Sequence, residues 1–435
     1  MTTFLKSIIV NILTWEARVV LKKYKPFIVA VTGSVGKTGT KDAIYHVLKD
    51  VVVSRKSEKS FNSEIGLPLT VLGLPNAWHN PLIWAWNIFK GCACIILPLP
   101  YPKLLVLEIG ADHPGDIARA TAWVKPDIAV VTRLPDRPVH VENFASPEEV
   151  TKEKSELVKA LSEHGVFVGN ADDDAVLKLQ PLSRARMLTY GFSEGAQVRG
   201  SYMAIDYDDA GKPIGMIFRV DWQGSSVPVR LSHVLGEQPC MWALAALAVG
   251  IARGESPVRM AEALNTISVA SGRMHLIAGK NESTIIDDSY NASPVAAAAA
   301  LHTLEMIKGK RKIAMMGDML ELGQYEEEEH RRIGRMAAAI VNELVVVGRR
   351  AAWIGDAAQA AGLSKEHIHI FSTSVEAGEW ASAHTSSGDI VLIKGSQGSG
   401  KNMIRMERAV KLLMAHPEEA PKLLVRQEKE WQKQY

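Results

Sequence analysis

The stretch FIVAVTGSVGKTGT, residues 27–40, decides the fold of the first half of the chain. A run of apolar residues precedes a loop that contains Gly33 and Gly36, and a helix-compatible segment follows. A strand, a tight loop and a helix in this order point backbone N–H groups and a helix N-terminus at one spot, which attracts anions. Lys37 adds a cation, and the Thr38 hydroxyl is placed to bind magnesium. The loop is therefore equipped for a nucleoside triphosphate.

The loop departs from the strict Walker pattern, which has a further glycine where Val31 stands. What remains is the shorter G-x-x-G-K-T form, Gly33 to Thr38, which includes Ser34. An ordinary strand-to-helix turn with a surface lysine is the alternative interpretation of so short a motif. The rest of the chain has to decide between the two.

Composition narrows the class of protein. The chain has 435 residues, which suggests two or three domains, and its 47% hydrophobic and 23% charged residues are typical of a folded protein. A net charge of +2 without a long Lys/Arg run gives no reason to expect a nucleic-acid partner. Three cysteines form no disulfide framework and no metal pair, and no cleavable signal peptide is convincing, so we expect a cytoplasmic protein.

Short apolar strands alternate with helix-compatible runs up to about residue 270, which predicts a mostly parallel sheet with helices on both faces. Residues 198–231 instead predict an antiparallel meander at one edge of the same domain. A second strand-helix series predicts a Rossmann-like domain. The α/β fold is thus divided into an amphipathic helix 1–26, a central P-loop domain 27–271 with an apolar insert 76–103, and a C-terminal domain 272–435. The predicted strands are 104–108, 127–132 and 166–170 in the first series and 284–287, 312–317, 344–348, 367–371 and 390–394 in the second.

The apolar segment Pro81–Tyr101 carries one charge and is about long enough to span a bilayer. Gly91 and two prolines favour a buried or interfacial hairpin instead. Two interpretations of this segment and of residues 1–25 stay open. The two segments cover each other within the fold, or residues 1–25 and 78–101, which include Trp78, contact a membrane surface or another copy of the chain.

Polar residues follow two of the predicted strands of the first series. Glu108 ends one strand, and His140 follows shortly after another. Ligands bind at the carboxyl ends of parallel strands, so a carboxylate, an imidazole and Thr38 together would make a magnesium site around a triphosphate. Taken singly, Glu108 could equally be a helix-capping acid and His140 a surface residue.

Six ordered segments resemble the Mur ligase family, over most of the chain from Ile28 to about Met414. The last two favour the branch that adds D-alanyl-D-alanine to UDP-N-acetylmuramoyl-tripeptide in peptidoglycan synthesis. The resemblance implies a central ATPase domain and a C-terminal ligase domain. The segments are VTGSVGKTGTKD (31–42), KSFNSEIGLPLTVL (59–72), LEIGADHPGDIA (107–118), HVENFASPEEVTKEKSEL (140–157), IIDDSYNASP (285–294) and MMGDMLELG (315–323).

The resemblance also implies a role for individual residues. Lys154 falls where the family has a carbamylated lysine, whose anionic oxygens suit a metal better than an ammonium group does, although a surface lysine remains an alternative because Lys152 stands nearby. Asp318 and His330 are weaker candidates for the side of the incoming amine, and Lys394-Gly395-Ser396 matches a late block. The implied ATP site comprises Gly33, Ser34, Gly36 and Lys37 on the phosphates, Thr38, Glu108, His140 and Lys154 around Mg²⁺, and Arg273, Asp288 and Asn291 across the domain cleft.

The sequence departs from the family pattern in three places. Gly33 begins the P-loop after a single predicted helix, so we do not expect the N-terminal domain that binds the UDP end of the substrate. The segment GEQPCMWALAA, residues 236–246, has Gln238, Pro239 and Trp242 where the family has a His-Asn-x-x-Asn motif beside adenine, and Trp242 would either stack on the base or pack in the core. Gly39 replaces a usual threonine.

The resemblance implies an ATP-dependent amide ligase with an acyl-phosphate intermediate. The expected substrates are a cell-wall peptide precursor and an amino acid or dipeptide such as D-Ala-D-Ala. A family member with a lipid-linked, folylpolyglutamate-like or cyanophycin-like acceptor is an alternative, and so is a membrane-associated nucleotide-binding protein without ligase activity. We expect the protein in the cytoplasm, with peripheral contact at the inner face of the membrane as a further hypothesis.

Overall fold

The computed structural model describes residues 3–58, 64–77, 80–134, 143–267, 270–397, 404–428 and 431. The helices are α1 Thr3–Tyr24, α2 Lys37–Leu48, α3 Gly66–Leu72, α4 Pro81–Ile96, α5 Asp116–Thr121, α6 Pro147–Lys159, α7 Asp174–Leu177, α8 Glu237–Ala252, α9 Pro257–Leu264, α10 Pro294–Met306, α11 Glu326–Ala338, α12 Ala352–Ala360, α13 Ser374–His384, α14 Glu407–Leu413 and α15 Ala420–Leu423. The strands are β1 Phe27–Thr32, β2 Ser54–Lys56, β3 Leu104–Glu108, β4 Ile128–Val131, β5 Val166–Asn170, β6 Arg186–Gly191, β7 Val198–Tyr207, β8 Pro213–Trp222, β9 Ser225–Ser232, β10 His275–Ala278, β11 Thr284–Asp288, β12 Lys312–Gly317, β13 Glu343–Val347, β14 Ile368–Phe371 and β15 Ile390–Lys394.

A nine-stranded sheet in the order β2-β3-β1-β4-β5-β6-β7-β8-β9 forms the first half of the chain. All pairings among β1 to β7 are parallel. Strands β7, β8 and β9 form the predicted antiparallel meander at one edge of the sheet. Side chains of β1 alternate between two apolar cores: Val29 and Val31 face one, and Ile28 and Ala30 face the other. Burial on both faces explains why β1 reads as a continuous apolar run.

Strand β1 lies between β3 and β4, which places the loop after β1 next to the ends of both neighbours. The register pairs Val31 with Glu108 and Thr32 with Val131. This is the position at which the order of the strands reverses, where open α/β sheets form a crevice at their carboxyl edge. The fold therefore brings the glycine loop, Glu108 and the end of β4 together.

The second half forms a six-stranded sheet in the order β10-β11-β15-β12-β13-β14. Strand β10 is antiparallel to β11, and the other five strands are parallel, as in a Rossmann-like domain. The five predicted strands of this series match β11 to β15. The boundaries 27–271 and 272–435 stay predictions.

The predicted hairpin in Pro81–Tyr101 is wrong, because this segment forms one helix, α4, and then an extended stretch from Leu97. A glycine inside a helix costs only about 1 kcal/mol, and here it has a packing reason. A Cβ at Gly91 would lie 2.0 Å from Glu16 Oε2, so the missing side chain lets α1 and α4 pack closely. Among the helices of the described ranges, none has the length and apolar character needed to cross a bilayer.

Candidate functional site

A cleft of about 560 Å³ lies between the two sheets. One wall is the loop after β1 together with Glu108 and Asp112. The opposite wall includes residues at and directly after the ends of β11 and β15, among them Asp288 and Asn291. Because both walls are built from the carboxyl ends of parallel strands, the cleft has the position expected for a ligand site.

The glycine loop is held tightly against β4. A Cβ at Gly33 would lie 2.0 Å from Thr132 Oγ1, and Gly36 has a φ of 85°, a left-handed conformation that favours glycine. Thr132 Oγ1 donates to the carbonyl of Val35 at 2.6 Å, which fixes the loop. Lys37 Nζ donates to the Gly33 carbonyl at 2.8 Å, so its ammonium group lies across the mouth of the loop.

Thr38 and Glu108 form the centre of the predicted magnesium site. Thr38 Oγ1 donates to Glu108 Oε1 at 3.2 Å, and both residues are buried. Glu108 Oε2 and Ser34 Oγ are buried without a hydrogen-bond partner in the described parts of the chain. Two orphaned oxygens in the lining of a cleft are the kind of atoms that a hydrated cation or a phosphate would satisfy, so the donor set fits a Mg²⁺–phosphate group.

Lys154 is buried on α6, whereas Lys152 is exposed, so the interpretation of Lys154 as a surface lysine is wrong. The adjacent Glu153 fixes this part of α6, because its carboxylate accepts from the backbone N–H groups of Gly115 at 2.8 Å and Ile117 at 2.6 Å. Burial, and then the charge of Lys37, lowers the pKa of Lys154 to about 7. A substantial fraction of its amine is thus neutral at neutral pH, and the neutral amine is the form that can react with CO₂.

His140 lies outside the described residues. In the ranges that the structure describes, no three His, Cys, Asp or Glu side chains come together as a metal site. The described part of the predicted magnesium site is therefore Thr38, Glu108 and Lys154, and the assignment of all four residues to Mg²⁺ stays a prediction.

The opposite wall of the cleft is organised by an ion pair at the ends of β11 and β15. Lys394 Nζ donates to Asp288 Oδ2 and to the Asn291 carbonyl at 3.1 Å. Met274 N donates to Asp288 Oδ1 at 3.2 Å. Burial raises the pKa of Asp288, and Lys394 counteracts that effect. The Asn291 amide is oriented as well, since its Oδ1 accepts from Gln397 N at 3.3 Å.

Arg273 reaches the cleft above an aromatic ring. Its guanidinium lies 4.3 Å from the centroid of Tyr290, and its Nε is buried without a partner in the described residues. Arg426 lies against the same ring at 5.3 Å and is itself bound to the buried Glu407. Behind Tyr290, the chain after residue 404 thus forms a buried ionic support that the sequence did not indicate, because no motif marks it.

Trp242 packs directly against Gly39. Trp242 is 4% exposed, lines the cleft, and lies where a Cβ at Gly39 would come within 2.3 Å of its ring. The indole therefore occupies the space of a side chain on α2. Both departures from the family pattern were visible in the sequence, but only the structure shows that one accommodates the other. Trp242 both packs in the core and reaches the cleft.

Asp318 directly follows β12, and His330 lies on α11, the helix whose Glu326 lines the cleft. Asp318 accepts from Ala351 N at 2.7 Å. His330 is buried, its Nε2 accepts from Met319 N at 2.9 Å, and its Nδ1 lies 2.6 Å from the Glu326 carbonyl. With both ring nitrogens occupied by the backbone, His330 holds the segment after β12 in place. The cleft instead takes Glu326 and Arg350 from this region, and no sequence motif marks either residue.

A P-loop cleft that is completed by a second α/β domain defines a nucleotide-dependent enzyme. Residues 99–250 match the Mur ligase middle domain, and residues 272–397 match the Mur ligase, glutamate ligase domain. The chain belongs to the Mur ligase family and is an ATP-dependent peptide ligase.

Relatives support this assignment over most of the chain. The UDP-N-acetylmuramoyl-tripeptide–D-alanyl-D-alanine ligase of Bacillus subtilis is 28% identical over 403 residues, which cover 92% of this chain and 79% of the relative. The ligase of the same name from Mycobacterium tuberculosis H37Rv is 31% identical over 394 residues, 86% of this chain and 71% of the relative. The crystal structure of MurF ligase from Thermotoga maritima in complex with ADP has a TM-score of 0.75 and 25% identity, and the match covers 94% of this chain and 84% of that one. The expectation that a UDP-binding domain is lacking stays a prediction.

Proposed function

We propose that this ligase joins an amine, D-Ala-D-Ala or a close analogue, to the carboxylate of a cell-wall peptide precursor. The observation that carries the proposal is the cleft that combines Lys37, Thr38 and Glu108 on one wall with Arg273, Asp288 and Asn291 on the other. The names of the relatives supply the substrates, since both relatives act on UDP-N-acetylmuramoyl-tripeptide and D-alanyl-D-alanine.

The reaction has two steps. A carboxylate oxygen of the acceptor attacks the γ-phosphorus of ATP, and the bond between this phosphorus and the β-phosphate oxygen breaks. ADP is the leaving group, and the acceptor becomes an acyl phosphate. The amine nitrogen then attacks the acyl carbon, phosphate departs with its oxygen, and the nitrogen loses a proton. The protein positions the reactants and stabilises the charge that develops on the transferred phosphoryl group.

The proposal assigns a task to the residues around the phosphates. The N–H groups of the loop from Gly33 to Gly36 bind the β- and γ-phosphates, and Lys37 and Arg273 neutralise them from opposite walls. Thr38, Glu108, His140 and carbamylated Lys154 would hold Mg²⁺, which supplies Lewis-acid stabilisation of the phosphoryl oxygens when bound. The lowered pKa of Lys154 and the unpartnered Glu108 Oε2 support this assignment.

The test is phosphate release from ATP and Mg²⁺ with UDP-N-acetylmuramoyl-tripeptide, with and without D-Ala-D-Ala. We expect release to need both substrates and the product to be heavier by the dipeptide. Lys154→Ala should abolish turnover, whereas the matched variant Lys152→Ala, on the exposed face of the same helix, should keep it. Turnover that survives in Lys154→Ala would contradict the assigned site. Comparing turnover of acceptors with and without the UDP group shows whether the enzyme recognises UDP. ATP binding without turnover of any acceptor would refute the proposed substrates.

We also propose that residues 1–25 and 78–101 contact a membrane surface or another copy of the chain. The support is the exposure of large apolar side chains on α1 and α4, such as Trp15 and Trp86. Trp78, included in the sequence prediction, lies outside the described residues.

A further inference from the structure

Nine of the seventeen exposed large apolar side chains in the described residues lie on α1, on α4 or directly after α4. Leu82 is 79% exposed and Phe89 is 61% exposed, and Trp86 stacks on Phe89 with ring centroids 5.4 Å apart. Such clustering differs from the scattered apolar residues that any surface carries. We call this surface the apolar platform: Ile8, Trp15, Leu82, Ile83, Trp86, Phe89, Ile96, Leu97 and Leu99.

The two helices of the platform are fastened to each other. Lys23 Nζ donates to the last carbonyls of α4, among them Ile95 at 2.9 Å, and the Tyr24 and Tyr101 rings stack at 4.5 Å. The buried Glu16 accepts from Cys92 Sγ at 3.2 Å. α1 and α4 therefore form a single packed unit, and the exposed side chains of the platform project from it.

The charges of this region have one sign. Residues 1–25 and 76–103 contain seven Lys or Arg and one acid, Glu16, whose side chain is buried. On α1, Arg18 and Lys22 lie three and seven residues after Trp15 and therefore on the same face of the helix. Together with two further cations, Lys25 and Lys125, they line a groove of about 540 Å³. Its carboxylate, Asp127, already accepts from Ile28 N at 2.7 Å. Apolar and aromatic side chains next to a basic groove are complementary to an anionic lipid surface.

We propose that the apolar platform and the basic groove dock the enzyme on bilayers that contain anionic phospholipids. The apolar side chains enter the boundary between headgroups and acyl chains, and the groove receives a lipid phosphate. A second copy of the chain is the poorer occupant, because a symmetric contact would bring two sets of like charges together. This deepens the surface contact proposed above and is independent of the ligase chemistry, since vesicle binding needs no turnover.

The test is co-sedimentation of the full chain with vesicles of phosphatidylcholine alone and with vesicles of equal parts phosphatidylcholine and phosphatidylglycerol. We expect binding to the anionic vesicles only, and weaker binding at high salt because the surface charge is then screened. Trp86→Ser with Phe89→Ser should remove most of the binding. The matched control is Tyr202→Ser with Ile370→Ser, two exposed apolar residues elsewhere in the fold, and it should bind as the wild type does.

Charge reversal tests the groove separately. A basic residue near an anionic surface contributes roughly fivefold in partitioning, so Arg18→Glu with Lys22→Glu should weaken binding by about 25-fold or more. Lys178→Glu with Lys212→Glu, the same change of net charge on other exposed sites, should have little effect. Equal binding to neutral and anionic vesicles would overturn the proposal. So would absence of vesicle binding together with dimers in light scattering that Trp86→Ser with Phe89→Ser disrupts, since the platform would then be an interface between copies.

Discussion

Restoring the usual threonine at position 39 should destabilise the protein, because Trp242 occupies the space which that side chain needs. A Cβ at Gly39 would lie 2.3, 2.4 and 2.6 Å from three atoms of the indole ring, whereas ordinary contacts begin near 3.4 Å. The ring would have to move by about 1 Å inside a close-packed core. Such overpacking costs roughly 1–3 kcal/mol or more.

Helix propensity opposes this loss only weakly. Position 39 lies inside α2, where threonine is better than glycine by about 0.3 kcal/mol. We therefore expect Gly39→Thr to lower the free energy of unfolding by ~2 kcal/mol. Gly355→Ala on α12 is the matched control, since its Cβ would meet no atom closer than 3.3 Å. That variant should be neutral or slightly stabilising.

Urea unfolding of a double-mutant cycle tests the explanation. Trp242→Ala alone should cost ~3–5 kcal/mol by leaving a cavity. In Gly39→Thr with Trp242→Ala the new side chain no longer meets the indole, so the two effects should couple by ~1–3 kcal/mol. Additive effects, or a Gly39→Thr variant as stable as the wild type, would show that the glycine and the tryptophan are independent departures.

Three further changes test other parts of the fold. Glu407→Ala should cost ~3–5 kcal/mol in urea unfolding, because it leaves two buried guanidinium groups without their carboxylate. Burial raises the pKa of Asp287 to about 7, so the folded protein binds this proton more tightly than the unfolded chain does, and stability should fall as the pH rises from about 4 to 7. Asp287→Asn should flatten that profile, and an unchanged slope would contradict the reasoning. Gly91→Ala should lower the thermal midpoint by separating α1 from α4, because its Cβ would lie 2.0 Å from Glu16 Oε2, and an unchanged midpoint would show that the close contact is not needed.

The sequence predicts most strands well, since each is a short apolar run between turn residues, and burial on both faces makes such runs easy to recognise. The hairpin was wrong for a physical reason. The helix-breaking tendency of Gly91 is a local effect of about 1 kcal/mol, whereas the contact with Glu16 joins residues 75 positions apart, which no local pattern contains. Likewise, the difference between Lys152 and Lys154 is one of burial, and two lysines on one helix look alike in sequence.

The sequence predicts the parts of the candidate site in which a motif fixes the backbone. It does not predict the contacts that residues distant in sequence make with the site. The P-loop carries its own geometry, so the spacing of Gly33 to Thr38 predicts the glycine loop that the structure places between β1 and α2. The resemblance predicts a role for Asp288, but no local pattern pairs it with Lys394, which lies 106 positions away on a neighbouring strand. The ionic support behind Tyr290 comes from residues after 404, in a segment without any recognisable pattern.

The arrangement of charges in the cleft supports the proposal that its ligand is a polyanion. Asp288 is bound to Lys394, so the carboxylate and the ammonium largely neutralise each other. Lys37 donates only to a carbonyl, and Arg273 lies over an aromatic ring, so two cations on opposite walls have no bound carboxylate in the described residues. Burial lowers the pKa of Lys37, and the charge of Arg273 adds to that effect, so the two cations repel each other across the cleft. In the proposed function, a triphosphate between the two walls would replace this repulsion by two attractions, one to each cation.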